Sequence, residues 1–119
     1  MNWYIAKIVF RIICGDGNHM PQFDEQLRLI QAEDELDALD KAAALGTREE
    51  HAFPNQHKQL VQWKFIDVSE LHKLNMLTDG LEVYSRVQEE DNAGRYIDIV
   101  HKKAEYLRLS SNKTLKEAV

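Results

Sequence analysis

From Tyr4 to Ile12 the even positions read Tyr4, Ala6, Ile8, Phe10 and Ile12, all apolar or aromatic. Lys7 and Arg11 interrupt the odd positions, and this period of two predicts a strand over 3–13 with one well-buried face. A second alternating run from Gln22 to Ala32 sets Phe23, Leu27 and Leu29 against Asp24, Gln26 and Arg28, which predicts a second strand. The spacing then changes. Asp34 stands where a helix N-cap belongs, Asp37 follows three residues on as a short-armed capping box, and Leu36, Leu39, Ala42 and Ala43 form an apolar stripe. Helical spacing runs on through Gly46 and Glu49 to Phe53, where Pro54-Asn55 stops it.

Three further elements follow. "LVQWKFIDV", Leu60 to Val68, predicts a strand with Val61, Trp63 and Phe65 on one face. Ser69 to Leu77 reads as a short helical turn, and Asp79-Gly80 as a reversal before a fourth strand, Leu81 to Val87. Ile97, Val100, Ala104 and Leu107 recur at helical spacing and predict a last helix ending near Leu109. The order β-β-α-β-β-α implies an α+β two-layer sandwich, a four-stranded antiparallel sheet with helices on one face. Residues 1–109 are expected to form a single domain, with a polar, frayed tail over 110–119.

Between the first two strands lies "CGDGNHMP", which has the glycines of a phosphate loop. Such a loop needs a helix directly after the glycines, with its amides aimed at the anion. Here Met20-Pro21 and a strand follow, so the stretch is expected to be a loose hairpin connection.

Composition narrows the class. The chain has 119 residues, 44% hydrophobic and 29% charged, the balance of an ordinary globular domain. No apolar run approaches the ~20 residues of a membrane span, and Met1-Asn2-Trp3-Tyr4 lacks a cationic leader. The single cysteine, Cys14, has no internal partner, which fits a cytoplasmic location. The net charge of −5 is uneven: residues 33–50 hold seven acids and two bases, whereas Arg95 to Glu117 holds six bases and three acids. That argues against general nucleic-acid affinity and leaves room for a local basic surface.

The blocks "NWYIAKIVF", "FDEQLRLIQA" with "DALDKA" after it, "VQWKFIDV" and "DGLEVYSR" together resemble the bacterial family described as domain of unknown function 4288, over roughly Asn2 to Arg86. The resemblance implies a compact intracellular domain with this element order. It transfers no catalytic residue, because the family has none assigned.

Candidate chemistry is sparse. None of the five histidines sits in a zinc signature, and no serine has the nucleophile-elbow pattern. Glu49, Glu50, His51 and His57 are the nearest approach to a metal or catalytic cluster, and a solvated helix end is the favoured account of them. No catalytic residue, metal or cofactor is therefore expected, and an enzyme of unknown reaction is the third reading. The sheet offers more. If Tyr4, Ile8, Phe10, Phe23, Leu27, Val61, Trp63, Phe65, Val83 and Val87 face the helices, Trp63 is central to the core. The opposite face then carries Lys7, Arg11, Arg28, Lys64 and Arg86, with Tyr84 and Trp3 beside them and Asp24 and Glu82 as counter-charges. A basic face with aromatics suits an anionic ligand or single-stranded RNA, although a solvated face with cross-strand ion pairs such as Arg11 with Asp24 is the favoured account. Ile5, Val9 and Ile13 share that face and suit a dimer contact. The leading expectation is a non-enzymatic interaction module that binds a protein partner or itself; the anion binder is the alternative.

Overall fold

The computed structural model describes residues 1–118, with side chains through Ser111. The chain divides into two compact units, Met1–Ser85 and a second that begins at Arg86. The first holds β1 (Asn2–Cys14), β2 (Gln22–Ala32), α1 (Glu35–Arg48), β3 (His51–Pro54) and β4 (Leu60–Leu74); the second holds α2 (Ala93–Ala118). The fold is α+β in the expected order, with one antiparallel sheet in the spatial order β2-β1-β4-β3.

β1 is the central organiser, because it pairs with β2 on one side and β4 on the other over nearly its whole length. Its even side chains form the inner face, where Tyr4, Ala6, Ile8 and Phe10 are all buried. Ile30 lies opposite Tyr4, and Arg28, Gln26 and Asp24 lie opposite Ala6, Ile8 and Phe10, so all share that face. β4 has register shifts opposite Lys7/Ile8 and Val9/Phe10. Each bulge inserts one extra residue, and Phe65, Val68 and Leu71 stay on the inner face although they are three apart.

α1 begins as its acids require. Asp34, in an extended conformation, accepts from the Asp37 amide at 2.8 Å, and Asp37 accepts from the Glu33 amide at 3.0 Å. The residues pressed to the sheet are Ala38, Ala42 and Gly46, one turn apart, with Leu45 packed beside them. Leu36 and Leu39 of the anticipated stripe are exposed instead. Small residues let the helix backbone sit close to the strands; a methyl group on Gly46 would overlap the Phe65 ring.

Several elements differ from the sequence expectation. The helix stops at Arg48, and His51–Pro54 pairs with Leu60–Trp63 as β3 rather than extending α1. Asn55 closes that hairpin: its side-chain oxygen accepts from the amides of His57 and Gln59 at 2.8 and 3.0 Å. Ser69–Leu74 continues β4 rather than turning as a helix, and 81–87 is not a strand. Asp79-Gly80 does reverse the chain, with Gly80 at φ +86 and Leu81 donating to the Thr78 carbonyl. In the second unit, Asn92 caps α2 by accepting from the Arg95 amide at 3.0 Å. The helix runs past Leu109 to Ala118, and the tail expected over 110–119 lies largely outside the described side chains.

Candidate functional site

The outer face of the sheet, away from α1, brings together part of the basic set. Lys7 lies opposite Glu70 and holds its carboxylate at 2.6 Å. Tyr84 sits over both: its hydroxyl donates to Glu70 at 3.3 Å, the Lys7 ammonium stands 5.5 Å from its ring centre, and His72 meets the ring edge-on. The hydrogen bond from Lys7, opposed by desolvation, holds the Glu70 carboxyl below the ordinary range, and the same bond raises Lys7. Further along the strand, Arg11 is directly opposite Lys64 on one side and Phe23 on the other. Neither cation meets a carboxylate among the described residues, and the Arg11 Nε is buried without a partner.

The other two positions fall elsewhere. Arg86 opens the second unit and donates to Gln88 at 2.7 Å. Arg28 is on the inner face, opposite Ala6, and Phe23 and Leu27 are on the outer face; β2 presents its two rows the other way round from the sequence expectation. The cause is parity. In antiparallel pairing a one-residue slip exchanges every side chain between faces, and the irregular connection over 15–21 sets that slip. The connection is the hairpin loop anticipated for "CGDGNHMP". Gly15 and Gly17 have φ of +61 and +82, the Asp16 carboxylate accepts from the Asn18 amide, and His19 accepts from the Cys14 amide at 3.0 Å. Its ring Nδ1–H donates to the Met20 carbonyl, the tautomer that leaves Nε2 able to accept. The loop's polar groups serve the loop.

The inversion of β2 builds a site that sequence reasoning missed. Past the end of α1 the inner face is uncovered, and a cleft of about 490 Å³ opens there, lined by Phe10, Gln26, Arg28, Glu49, His51 and Trp63 among others. Arg28 grips Glu49 with two hydrogen bonds of 2.5 and 3.0 Å and reaches Gln26; Gln26 donates to Asp24, and Asp24 also accepts from the Trp63 indole at 3.1 Å. His51, Phe53 and Trp63 stack nearly parallel, with His51 and Trp63 ring centres 5.2 Å apart. Trp63 is therefore on the expected face, but half-buried beyond the helix rather than central to the core. The hydrogen bond from Arg28, again opposed by desolvation, holds the Glu49 carboxyl below its usual range and raises Arg28. The only signal for this cluster was the aromatic content of "HAFP" and "LVQWKF", which becomes readable once both segments are known to be paired strands.

Of the anticipated metal or catalytic cluster, Glu49 is engaged by Arg28, Glu50 accepts from the Phe65 amide at 2.9 Å, and His51 is stacked and bonded to the Glu49 carbonyl. His57 belongs to the β3–β4 turn. Among the described residues no group of three or more histidine, cysteine or acidic side chains is arranged to hold a metal ion. No helix among them is long and apolar enough to cross a membrane. Comparison with curated proteins and with solved structures finds no match. One family does match, over residues 3–85, which takes in the sheet but for Asn2, α1 and the Tyr84 segment. The chain thus belongs to the family described as domain of unknown function (DUF4288).

Proposed function

We propose that this protein is a non-enzymatic interaction module that works in the cytoplasm and binds a protein partner or a second copy of itself through the β2 side of its outer face. One observation carries the reading. Phe23, Leu27 and Leu29 follow one another along the outer face of β2 with exposures of 55%, 47% and 53%. Scattered exposed side chains need no explanation, whereas a row of three on one strand, beside the partly exposed Val9, is a contact surface. A photo-activatable crosslinker at position 27, introduced into cells that make the protein, should yield a defined adduct. The same probe at the exposed Leu36 of α1 should not. Equal, diffuse labelling from both positions would sink the reading.

A second reading rests on Arg11 and Lys64, adjacent cations without an acidic partner among the described residues, beside the exposed Phe23 ring. In that reading the pair holds an anionic ligand or single-stranded RNA. Binding of a short single-stranded RNA should then fall steeply with salt and vanish in Arg11→Glu/Lys64→Glu, because counterion release drives such binding. Salt-independent binding, or none at low salt, removes this reading.

A further inference from the structure

The sheet has two edges, and they are finished differently. β3 is 4 residues long and ends in Pro54, which has no amide to offer an incoming strand. β2 is 11 residues long and contains no proline and no lysine. It pairs with β1 in unbroken register from Asn2↔Ala32 to Ile12↔Gln22, so no bulge twists its outer edge away. Near its end the Gln31 carbonyl accepts from the Lys41 ammonium at 2.9 Å, and the rest of such a long edge presents a row of amides and carbonyls that is a template for another strand.

The side chains of β2 indicate which strand fits. Antiparallel pairing of β2 with itself about Gln26 sets Asp24 opposite Arg28 of the second copy, and Arg28 opposite Asp24. The same register sets Phe23 against Leu29 on the outer face, twice by symmetry, and Gln26 against itself. Moving the axis to Leu27 would oppose Asp24 to Ile30 and Phe23 to Gln31; moving it to Glu25 would bring two like charges together. The atoms needed for the charge pairs are free. Asp24 uses Oδ2 for both Trp63 and Gln26, which leaves Oδ1, and Arg28 commits its two Nη atoms but not Nε.

We infer that β2 pairs antiparallel with β2 of a second copy about a two-fold axis at Gln26, joining the two sheets into one continuous sheet. The inference rests on the interaction-module reading and names its partner. An isologous contact of this kind closes on itself as a dimer and leaves the short, proline-ended β3 as the outer edge on both sides.

The test uses the full chain with Cys14→Ser, so that an introduced cysteine is the only thiol. In the inferred dimer the two Gln26 Cα atoms lie about 4.5–5.5 Å apart, within disulfide reach. Two Leu27 positions are displaced along the strand beyond the ~7 Å limit. Mild oxidation should therefore link Gln26→Cys into a dimer on a non-reducing gel and leave Leu27→Cys as monomer. Wild-type protein should sediment as a dimer, and Gln26→Lys, which puts two ammonium groups at the axis, should weaken dimerisation at least tenfold with an unchanged circular dichroism spectrum. A monomer at every concentration, or crosslinking that favours position 27, overturns the inference. If the purified protein is a monomer while the probe at position 27 captures a foreign chain in cells, the self-pairing falls and the interaction-module reading stands.

Discussion

The same four strands present two faces that are built on different terms. On the inner face beneath α1, Tyr4, Ala6, Ile8 and Phe10 are sealed by Ala38, Ala42 and Gly46, and no charged residue is buried among the described residues. On the outer face, Lys7, Glu70, Arg11 and Lys64 alternate with Val9, Leu27 and Leu29, and the Tyr84 segment lies over part of it. The inner face obtains its stability from apolar area removed from water and from close packing. The outer face carries the Lys7–Glu70 ion pair in reach of water, buries Ile5 and Leu74, and leaves Leu27 and Leu29 about half exposed. Most of the buried apolar side chains lie on the inner face, and the outer face keeps Phe23, Leu27 and Leu29 exposed.

The difference can be tested most severely with one aromatic from each half of the inner face. Phe10 is 1% exposed and meets Phe65 edge-on, so Phe10→Ala should cost about 3–5 kcal/mol in urea unfolding. Whole domains of this size hold only ~5–15 kcal/mol, and much of that variant should be unfolded. Trp63, half-buried past the helix end, loses ring stacking with His51 and Phe53 and one indole hydrogen bond to Asp24 when truncated. For Trp63→Ala about 2 kcal/mol is expected, below the range for emptying a fully buried aromatic site. Equal losses would mean that the core extends under the cleft and that the helix boundary does not divide the face.

A smaller effect should come from Gly46. Gly46→Ala gains helix propensity of ~0.5–1 kcal/mol, yet its methyl group overlaps a Phe65 ring already wedged against Phe10. Overpacking costs ~1–3 kcal/mol, so the variant should be net destabilised by about 1 kcal/mol, visible as a lower Tm. Phe65→Leu in the same chain should recover part of the loss. A stabilised Gly46→Ala would show that α1 can lift from the sheet freely.

These residues also mark how far the sequence could be read. The capped start of α1, the hairpin after β1 and the burial of the even β1 positions were legible, because each depends on local chemistry or on an unbroken period of two. The far half of β4 was not. Its bulges space Phe65, Val68 and Leu71 three apart, the interval of a helix, and Ser69–Leu74 accordingly read as one. Alanine and glycine carry little hydrophobic signal, so Leu36 and Leu39 outweighed the residues that touch the sheet. The rows of β2 depend on the parity of an irregular loop, which no residue pattern encodes. Arg28 went to the wrong face for that reason, and the cleft with Asp24, Glu49 and Trp63 went unseen.

The smallest expected effect concerns the Arg28–Glu49 pair, an inner-face ion pair set beyond the helix where water returns. The guanidinium holds the Glu49 carboxyl below its unfolded value of about 4.3, so the folded state binds the proton less readily than the unfolded chain. The pair's contribution is therefore complete above that unfolded value and is lost as pH falls through the folded one. Both side chains are about one-third exposed, which limits the gain to ~1 kcal/mol or less. Urea midpoints of the wild type and Glu49→Gln should differ at neutral pH and converge as pH falls through the lowered folded value. On the outer face, Glu70 is lowered by Lys7 in the same sense, so Glu70→Gln should converge with the wild type over the same acidic range. Added salt separates the two. The Lys7–Glu70 pair lies on the open face, and its difference should shrink first as ionic strength rises, whereas Arg28–Glu49, tied into the Gln26–Asp24–Trp63 network, should retain more. The reverse order would mean that the Tyr84 segment shields the outer face more than the cleft shields the inner one, and the contrast between the faces would then have to be drawn elsewhere.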